Sequence, residues 1–125
     1  MQESEFKEKL VREIRHEGGY ARRIEDQFSV GMPDMVVIPK GCPVIWMEAK
    51  IVAGQILKPR PRQLIELTRL YRPPHSITAL IGWKAGYAYL APPEDNVPLK
   101  ACMKQQLNET YGDFFRRFLK EEVHG

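Results

Sequence analysis

Apolar residues recur at helical spacing near the start of the chain. Phe6, Leu10 and Ile14 are four residues apart among charged residues, and a pair of glycines at positions 18 and 19 ends the pattern. The spacing predicts an amphipathic helix over residues 4–17.

Two further segments have helical spacing. The first ends before the pair Pro73–Pro74, which stops a second predicted helix. The tail at 98–122 predicts a C-terminal helix that Gly112 can interrupt. The apolar positions are Leu64, Leu67, Leu70 and Tyr71 in the first segment, and Met103, Leu107, Tyr111, Phe114, Phe115, Phe118 and Leu119 in the second.

Short apolar runs between these helices predict strands. Met35–Ile38 is closed by Pro39, and the run at 44–47 follows after a turn, so the two predict a hairpin. Other extended segments are expected at residues 20–25, 77–82 and 87–90. The resulting order, αβββαββα, predicts an α/β fold in which helices flank a mixed central sheet of four to five strands.

Composition limits the class of protein. The 125 residues are 43% hydrophobic, enough for one modest core, and we expect a single domain over residues 1–125. The net charge of +3 permits nucleic-acid binding without indicating it. The two cysteines fit neither a disulfide framework nor a zinc site. Without a signal peptide or an apolar run of roughly 18 residues, the chain is expected to be cytoplasmic and to have no membrane partner.

Charged residues lie at the ends of the predicted hairpin strands. Asp34 precedes the first strand and Glu48 follows the second, so antiparallel pairing can place the two carboxylates side by side. Lys50 lies two residues beyond Glu48, on the same face of a strand. A carboxylate-held metal can activate water for phosphodiester hydrolysis, with Lys50 orienting the water and the Ala49 carbonyl as a further ligand. The alternative is a turn aspartate beside a solvated strand end, since acid-x-lysine pairs are common by chance.

Gly31-x-Pro33-Asp34, a hairpin-length gap and Glu48-x-Lys50 together resemble the PD-(D/E)xK nuclease superfamily. The chain is most similar to its VRR-NUC group and small phage-encoded relatives, which are also similar to archaeal Holliday-junction resolvases. The resemblance covers about residues 3–90. It implies a restriction-endonuclease-like core over residues 1–92, and it provides no counterpart for the C-terminal helix at 98–122.

The resemblance implies roles for the matching residues. Asp34 and Glu48 correspond to ligands of Mg²⁺ or Mn²⁺, and Lys50 corresponds to the catalytic lysine. Gln63 corresponds to a catalytic-site glutamine, which can hydrogen-bond Lys50, water or a phosphate. The alternative for Gln63 is an ordinary polar residue in a first helical turn.

The resemblance also implies a metal-binding glutamate on the first helix. Glu3 is the first choice, because it shares a helix face with Phe6 and Leu10. Solvated surface positions are the common role of such glutamates. The alternatives that stay open are Glu5, Glu13 and Glu17.

Clustered basic residues near the acidic pair suggest a DNA-binding surface. Prolines at 59 and 61 stiffen the loop at 52–61, and such a surface would contact phosphates without reading bases. A solubilising surface is the alternative. The residues are Arg22, Arg23, Lys58, Arg60, Arg62 and Arg69.

Asp26 is expected to cap a turn. The alternative is that it contacts the metal ligands from behind, without binding the metal itself.

We therefore expect a Mg²⁺- or Mn²⁺-dependent endodeoxyribonuclease that selects branched, flapped or junction DNA. The alternatives are an end-directed or nicking nuclease in a larger assembly, and a non-catalytic DNA-binding protein that kept the fold. Two symmetric cuts would require a homodimer, with Phe114, Phe115 and Phe118 either at its interface or in the monomer core. For a phage-encoded chain the compartment would be the host cytoplasm.

Overall fold

A mixed six-stranded sheet is the central element of the computed structural model, which describes residues 1–24 and 31–124. The helices in these ranges are α1 Glu3–His16, α2 Pro61–Leu70 and α3 Tyr111–His124. The strands are β1 Tyr20–Arg23, β2 Met35–Ile38, β3 Val44–Ile51, β4 Ile56–Leu57, β5 Ser76–Lys84, β6 Tyr87–Ala91, β7 Val97–Pro98 and β8 Met103–Lys104. The predicted α/β class, with helices flanking a mixed sheet, is confirmed.

The strand order across the main sheet is β1-β2-β3-β5-β6-β8. β3 and β5 run parallel, and every other neighbouring pair in this order is antiparallel. α2 lies in the connection between β3 and β5, because two parallel neighbours need a crossover. β3 is therefore held by hydrogen bonds to a strand on each side, which gives the residues at its end a fixed position.

Alternating side chains divide the main sheet into two apolar faces. Met35, Met47 and Ile81 belong to a core cluster shared with α1 and α3. Leu67 of α2 and Leu80 belong to a second cluster, which also includes residues of the two-stranded sheet formed by β4 and β7. Because the side chains of a strand alternate, residues next to Met47 emerge on the α2 side.

The first helix follows its predicted pattern. Phe6 and Leu10 are 0% exposed and Ile14 is 1% exposed, and α1 begins and ends one residue before the predicted limits. Three apolar residues at four-residue spacing therefore identified both the helix and its buried face.

The main sheet contains more strands than the four to five expected. The additional strand β8 comes from the tail, where Met103 pairs with Leu90. The loop at 52–61 also contains β4, which pairs with β7. Strands of two residues are too short to produce an alternating pattern, so hydrophobic periodicity cannot predict them.

The prediction of a C-terminal helix from residue 98 was wrong, because α3 begins at Tyr111. Thr110 caps this helix, with its Oγ1 accepting a hydrogen bond from the Asp113 N–H at 3.1 Å. Two apolar residues counted as helical lie before the helix, Met103 in β8 and Leu107 in an exposed turn. Their spacing matched the helical period although they lie in other elements.

The aromatic residues of α3 close the core of the chain. Phe114 and Phe115 are 0% exposed and Phe118 is 3% exposed, with the first two rings stacked at 6.0 Å. Of the two alternatives for these residues, the core position is confirmed, and a dimer interface built on them is excluded. Gly112 lies in the first turn of α3 and does not interrupt it.

The two cysteines, Cys42 and Cys102, are free thiols. Burial raises the pKa of Cys102 to about 11, so this thiol is protonated at neutral pH.

No helix within residues 1–24 and 31–124 combines the length and apolar character that a membrane span requires.

Candidate active site

The register of β2 and β3 brings the acidic pair together. Met35 pairs with Met47, so the next position along the antiparallel ladder sets Asp34 opposite Glu48. Both side chains point away from the face that buries the two methionines. The predicted hairpin therefore places the two carboxylates side by side where the β2–β3 ladder ends. Glu48 was expected to end its strand, but β3 continues to Ile51 because β5 pairs with it along its whole length.

The Asp34 carboxylate is held on both oxygens. Oδ2 accepts a hydrogen bond from the Ala49 N–H at 3.1 Å, and Oδ1 accepts one from Gln63 Nε2 at 3.2 Å. Lys7 Nζ lies 3.6 Å from Oδ2, and the side chain of Asp34 is only 10% exposed. Contacts from α1, β3 and α2 thus fix this carboxylate in one orientation.

Glu48 is a fully buried carboxylate, and one of its two oxygens has no hydrogen-bond partner among the described residues. Its side chain is 0% exposed, and Oε1 lies 3.1 Å from Lys50 Nζ and 3.5 Å from the Arg60 N–H. Oε2 is buried and has no hydrogen-bond partner among the described residues. Burial raises the pKa of Glu48, and the positive charge of Lys50 opposes that shift.

Gln63 supports Asp34 rather than Lys50. Its side chain is nearly fully buried, and Nε2 donates to the Met32 carbonyl at 3.3 Å as well as to Asp34. Its Oε1 accepts from Arg60 Nε at 2.8 Å. Gln63 therefore lies beside Asp34, and its hydrogen bonds within the described part of the chain join it to Met32, Asp34 and Arg60.

Lys7 is a site residue that the sequence analysis missed. Its ammonium nitrogen lies 3.5 Å from Glu3 Oε2 and 3.6 Å from Asp34 Oδ2, and its side chain is 13% exposed. Glu3 therefore reaches the acidic pair through Lys7. The signal available in the sequence was the spacing of Glu3 and Lys7, which as i and i+4 share one helix face.

The other glutamates of α1 occupy different surroundings. Glu13 Oε1 accepts a hydrogen bond from the Tyr111 N–H at 3.2 Å, at the start of α3. The Glu17 carboxylate packs against Gly112, where an added Cβ would overlap Oε2. Glu5 is exposed. Among contacts of the described residues, Glu3 alone of the four candidates touches a residue that contacts Asp34.

Arg60 spans the acidic pair. Its Nη2 lies 3.5 Å from Asp34 Oδ1 and its Nε lies 3.6 Å from Glu48 Oε1. The sequence placed Arg60 on a DNA-binding surface, and its contacts with both carboxylates were not anticipated. Arg60 lies in a loop, where no hydrophobic period predicts which way a side chain points.

Arg22 and Arg23 project from opposite faces of β1. Arg22 is exposed and pairs with Val36, which shares the sheet face of Asp34. Arg23 points towards α1, where Nη1 donates to Ser4 Oγ at 3.0 Å. Of these two arginines, Arg22 faces the side of the acidic pair.

The remaining predicted DNA contacts are solvent-exposed. Lys58 and Arg62 are exposed on the segment that leads into α2 and on its first turn. The Arg69 side chain is 73% exposed and lies 3.7 Å from Glu66. These side chains are free to contact a phosphate backbone, which exposed lysine and arginine residues bind without base recognition.

The acidic pair fits a divalent cation that prefers oxygen ligands. A buried carboxylate oxygen normally has a partner, and Glu48 Oε2 has none within residues 1–24 and 31–124. The described residues contain no cluster of three His, Cys, Asp or Glu side chains. A metal here would take further ligands from water or backbone, which is usual for Mg²⁺. Asp26 lies outside the described residues.

Gly31 allows the first turn of α2 to pack closely against the segment that leads to Asp34. Its φ is +94°, and an added Cβ would lie 3.0 Å from the Arg62 carbonyl oxygen. A glycine is needed here both for the left-handed backbone and for the close approach of the first turn of α2. This packing brings Gln63 to Asp34.

Replacing Gly31 by alanine is expected to destabilise the protein more than the same change at Gly41. Gly41 has a φ of +75° with nothing within 4 Å of an added Cβ, so Gly41→Ala should cost about 1–2 kcal/mol for the left-handed backbone alone. Gly31→Ala adds overpacking against Arg62, worth roughly 1 kcal/mol or more. Urea unfolding measures both, and equal losses would contradict the close packing.

The mixed sheet flanked by helices is a resolvase-like fold. Among solved structures, the chain is similar to Hjc, a Holliday junction resolvase from the archaeal hyperthermophile Archaeoglobus fulgidus. The TM-score is 0.64 with 15% sequence identity, over 78% of this chain and 89% of that chain. No protein-family model and no curated protein matches the chain.

Proposed function

We propose that the protein is a Mg²⁺- or Mn²⁺-dependent endodeoxyribonuclease that selects branched, flapped or junction DNA. The observation that carries the proposal is the meeting of Asp34, buried Glu48 and Lys50 where the β2–β3 ladder ends, with Glu48 Oε2 unpartnered among the described residues. The fold that the chain shares with a Holliday junction resolvase supports the choice of substrate.

Each residue of the site has a part in this chemistry. Asp34, Glu48 and the Ala49 carbonyl would hold the metal, which supplies charge neutralisation and a more acidic bound water. Lys50, whose ammonium lies 3.1 Å from Glu48, would orient the attacking water and stabilise negative charge on the phosphate. Gln63 keeps the Asp34 carboxylate in position through the hydrogen bond at 3.2 Å. Glu3 is proposed as a further metal ligand, reached once Lys7 turns away.

The exposed basic residues would hold the DNA backbone. Arg22, Lys58, Arg62 and Arg69 offer charge without base-reading groups, so binding should depend on DNA shape and fall as salt rises. Two symmetric cuts in a junction imply a C2 homodimer. Because the aromatic residues of α3 are buried, the dimer would use another surface.

Purified protein should cleave four-way-junction or flapped DNA in Mg²⁺ or Mn²⁺, leave linear duplex largely intact, and be inactive in EDTA. Lys50→Ala should lower the junction cleavage rate by at least about a hundredfold, in the range of a positioned proton-transfer or charge-stabilising group. Lys100→Ala is the matched control, because Lys100 is exposed on the 3-10 turn at Leu99–Ala101, well away in sequence from the site. Denaturing gels measure the products, and light scattering measures the oligomeric state.

Three results would count against the proposal. Cleavage that persists in EDTA would remove the metal from the mechanism. Cleavage that survives Lys50→Ala would remove the assigned site. DNA binding without cleavage of any of these substrates would favour a non-catalytic binding protein that retains the fold.

A further inference from the structure

Arg60 differs from the other basic residues in its contacts. Its side chain is 64% exposed, as for a surface arginine, yet its guanidinium lies 3.5 Å from Asp34 and 3.6 Å from Glu48. Its Nε also donates to Gln63 at 2.8 Å. One cation therefore bridges the two carboxylates that are proposed to bind metal.

We infer that the Arg60 guanidinium is the counter-ion of this carboxylate pair in the metal-free protein, that it competes with a divalent metal for the pair, and that it is released to a DNA phosphate when metal binds. The inference rests on the proposed function, because it takes Asp34 and Glu48 as the metal ligands. It assigns Arg60 a positioning role at the reaction centre in place of a general surface role.

The Arg60 guanidinium lies where it can offset the negative charge of both carboxylates. Opposed carboxylates repel one another, and Asp34 and Glu48 lie opposite each other where the β2–β3 ladder ends. A guanidinium that contacts both carboxylates reduces this repulsion and neutralises part of their charge. A divalent metal would neutralise the charge of Asp34 and Glu48 more strongly. The metal and the Arg60 guanidinium would therefore compete for the same place.

Arg60 is also the most readily released of the three cations at the site. Lys7 and Lys50 have side chains that are 13% and 25% exposed, so they are confined by their surroundings. The Arg60 side chain is 64% exposed, and both of its carboxylate distances are longer than a close hydrogen-bonded ion pair. Its backbone N–H contacts Glu48 at 3.5 Å, so the main chain can stay in place when the side chain leaves.

Mn²⁺ binding without DNA tests the competition directly. Calorimetric titration of wild type, Arg60→Gln and Arg62→Gln compares the loss of the bridging charge with the loss of an exposed charge two residues away. We expect Arg60→Gln to bind Mn²⁺ between about threefold and tenfold more tightly, and Arg62→Gln to change the affinity by less than about twofold, since exposed charges interact weakly. Asp34→Asn should abolish this binding.

DNA binding tests the release. In a Lys50→Ala background, which keeps the DNA intact, the salt dependence of junction binding is measured in Mn²⁺ and in EDTA. Arg60→Gln should lower the slope of log affinity against log salt by about one in Mn²⁺ and leave it unchanged in EDTA. Arg62→Gln should lower the slope equally in both conditions.

The outcomes separate this inference from the proposed function. Asp34-dependent Mn²⁺ binding that Arg60→Gln does not tighten would overturn the competition and leave the metal site standing. Equal slopes for Arg60→Gln in Mn²⁺ and EDTA would overturn the release. Failure of the wild-type protein to bind Mn²⁺ would overturn the inference and the proposed function together.

Discussion

Asp34→Asn is expected to lower the cleavage rate at least about a thousandfold, because the substitution removes one of the proposed carboxylate ligands of the metal while keeping the shape of the side chain. The loss should appear in the rate at saturating DNA, since Asp34 does not lie on the exposed basic surface. The asparagine oxygen can still accept the Ala49 N–H that Asp34 accepts at 3.1 Å. Single-turnover cleavage of junction DNA in Mg²⁺ measures the effect.

A matched control for Asp34→Asn is Asp95→Asn, which makes the same chemical change at an exposed loop position. Circular dichroism should show the same helix content for both variants and for wild type. Asp34→Asn that cuts within tenfold of the wild-type rate would show that the metal, if required, is held elsewhere.

Glu48→Gln is expected to abolish cleavage to a similar extent and to stabilise the metal-free protein near neutral pH. Burial raises the pKa of Glu48 in the folded state, so ionising this group costs more in the folded chain than in the unfolded one. Glutamine keeps the volume and resembles the uncharged form. Lys50 and Arg60, left without this anion, remain 25% and 64% exposed and can be solvated.

The difference in stability between wild type and Glu48→Gln is expected to grow as pH rises. A carboxyl group whose folded pKa is raised contributes stability that is fully present below its unfolded pKa and is lost as pH rises through its folded pKa. In EDTA, the melting temperature of wild type should therefore fall relative to that of Glu48→Gln as pH rises from about 4.5, with a difference of a few degrees by pH 8. Glu94→Gln, at an exposed position, should follow wild type. Parallel curves for wild type and Glu48→Gln would contradict a costly buried charge.

Periodic patterns predicted the elements that have a continuous apolar face. The buried positions of α1 and the pairing of Met35–Ile38 with the run at 44–47 follow from local spacing, and with them the opposition of Asp34 and Glu48. The strand period also placed Lys50 beside Glu48, where its ammonium lies 3.1 Å away. These relations depend on residues close in sequence.

Features that depend on distant segments could not be predicted in the same way. Lys7 reaches Asp34 across 27 positions of the sequence, and Gln63 reaches it across 29. The choice among the helix glutamates depended on where α3 begins, because Glu13 and Glu17 both face the first turn of that helix. Tertiary packing decides such contacts, and helix periodicity carries no information about it.

The two ends of α1 have different attachments: Lys7 contacts Asp34 near one end, and Glu13 and Glu17 contact the start of α3 near the other. A 14-residue helix is about 21 Å long and stiff, so a shift at one end is transmitted to the other. The start of α3 is therefore connected through α1 to the surroundings of Asp34. Because Phe114 and Phe115 of α3 are fully buried in the same core cluster as Phe6 of α1, a chain that ends before Tyr111 would lose the packing of α1 together with that of α3.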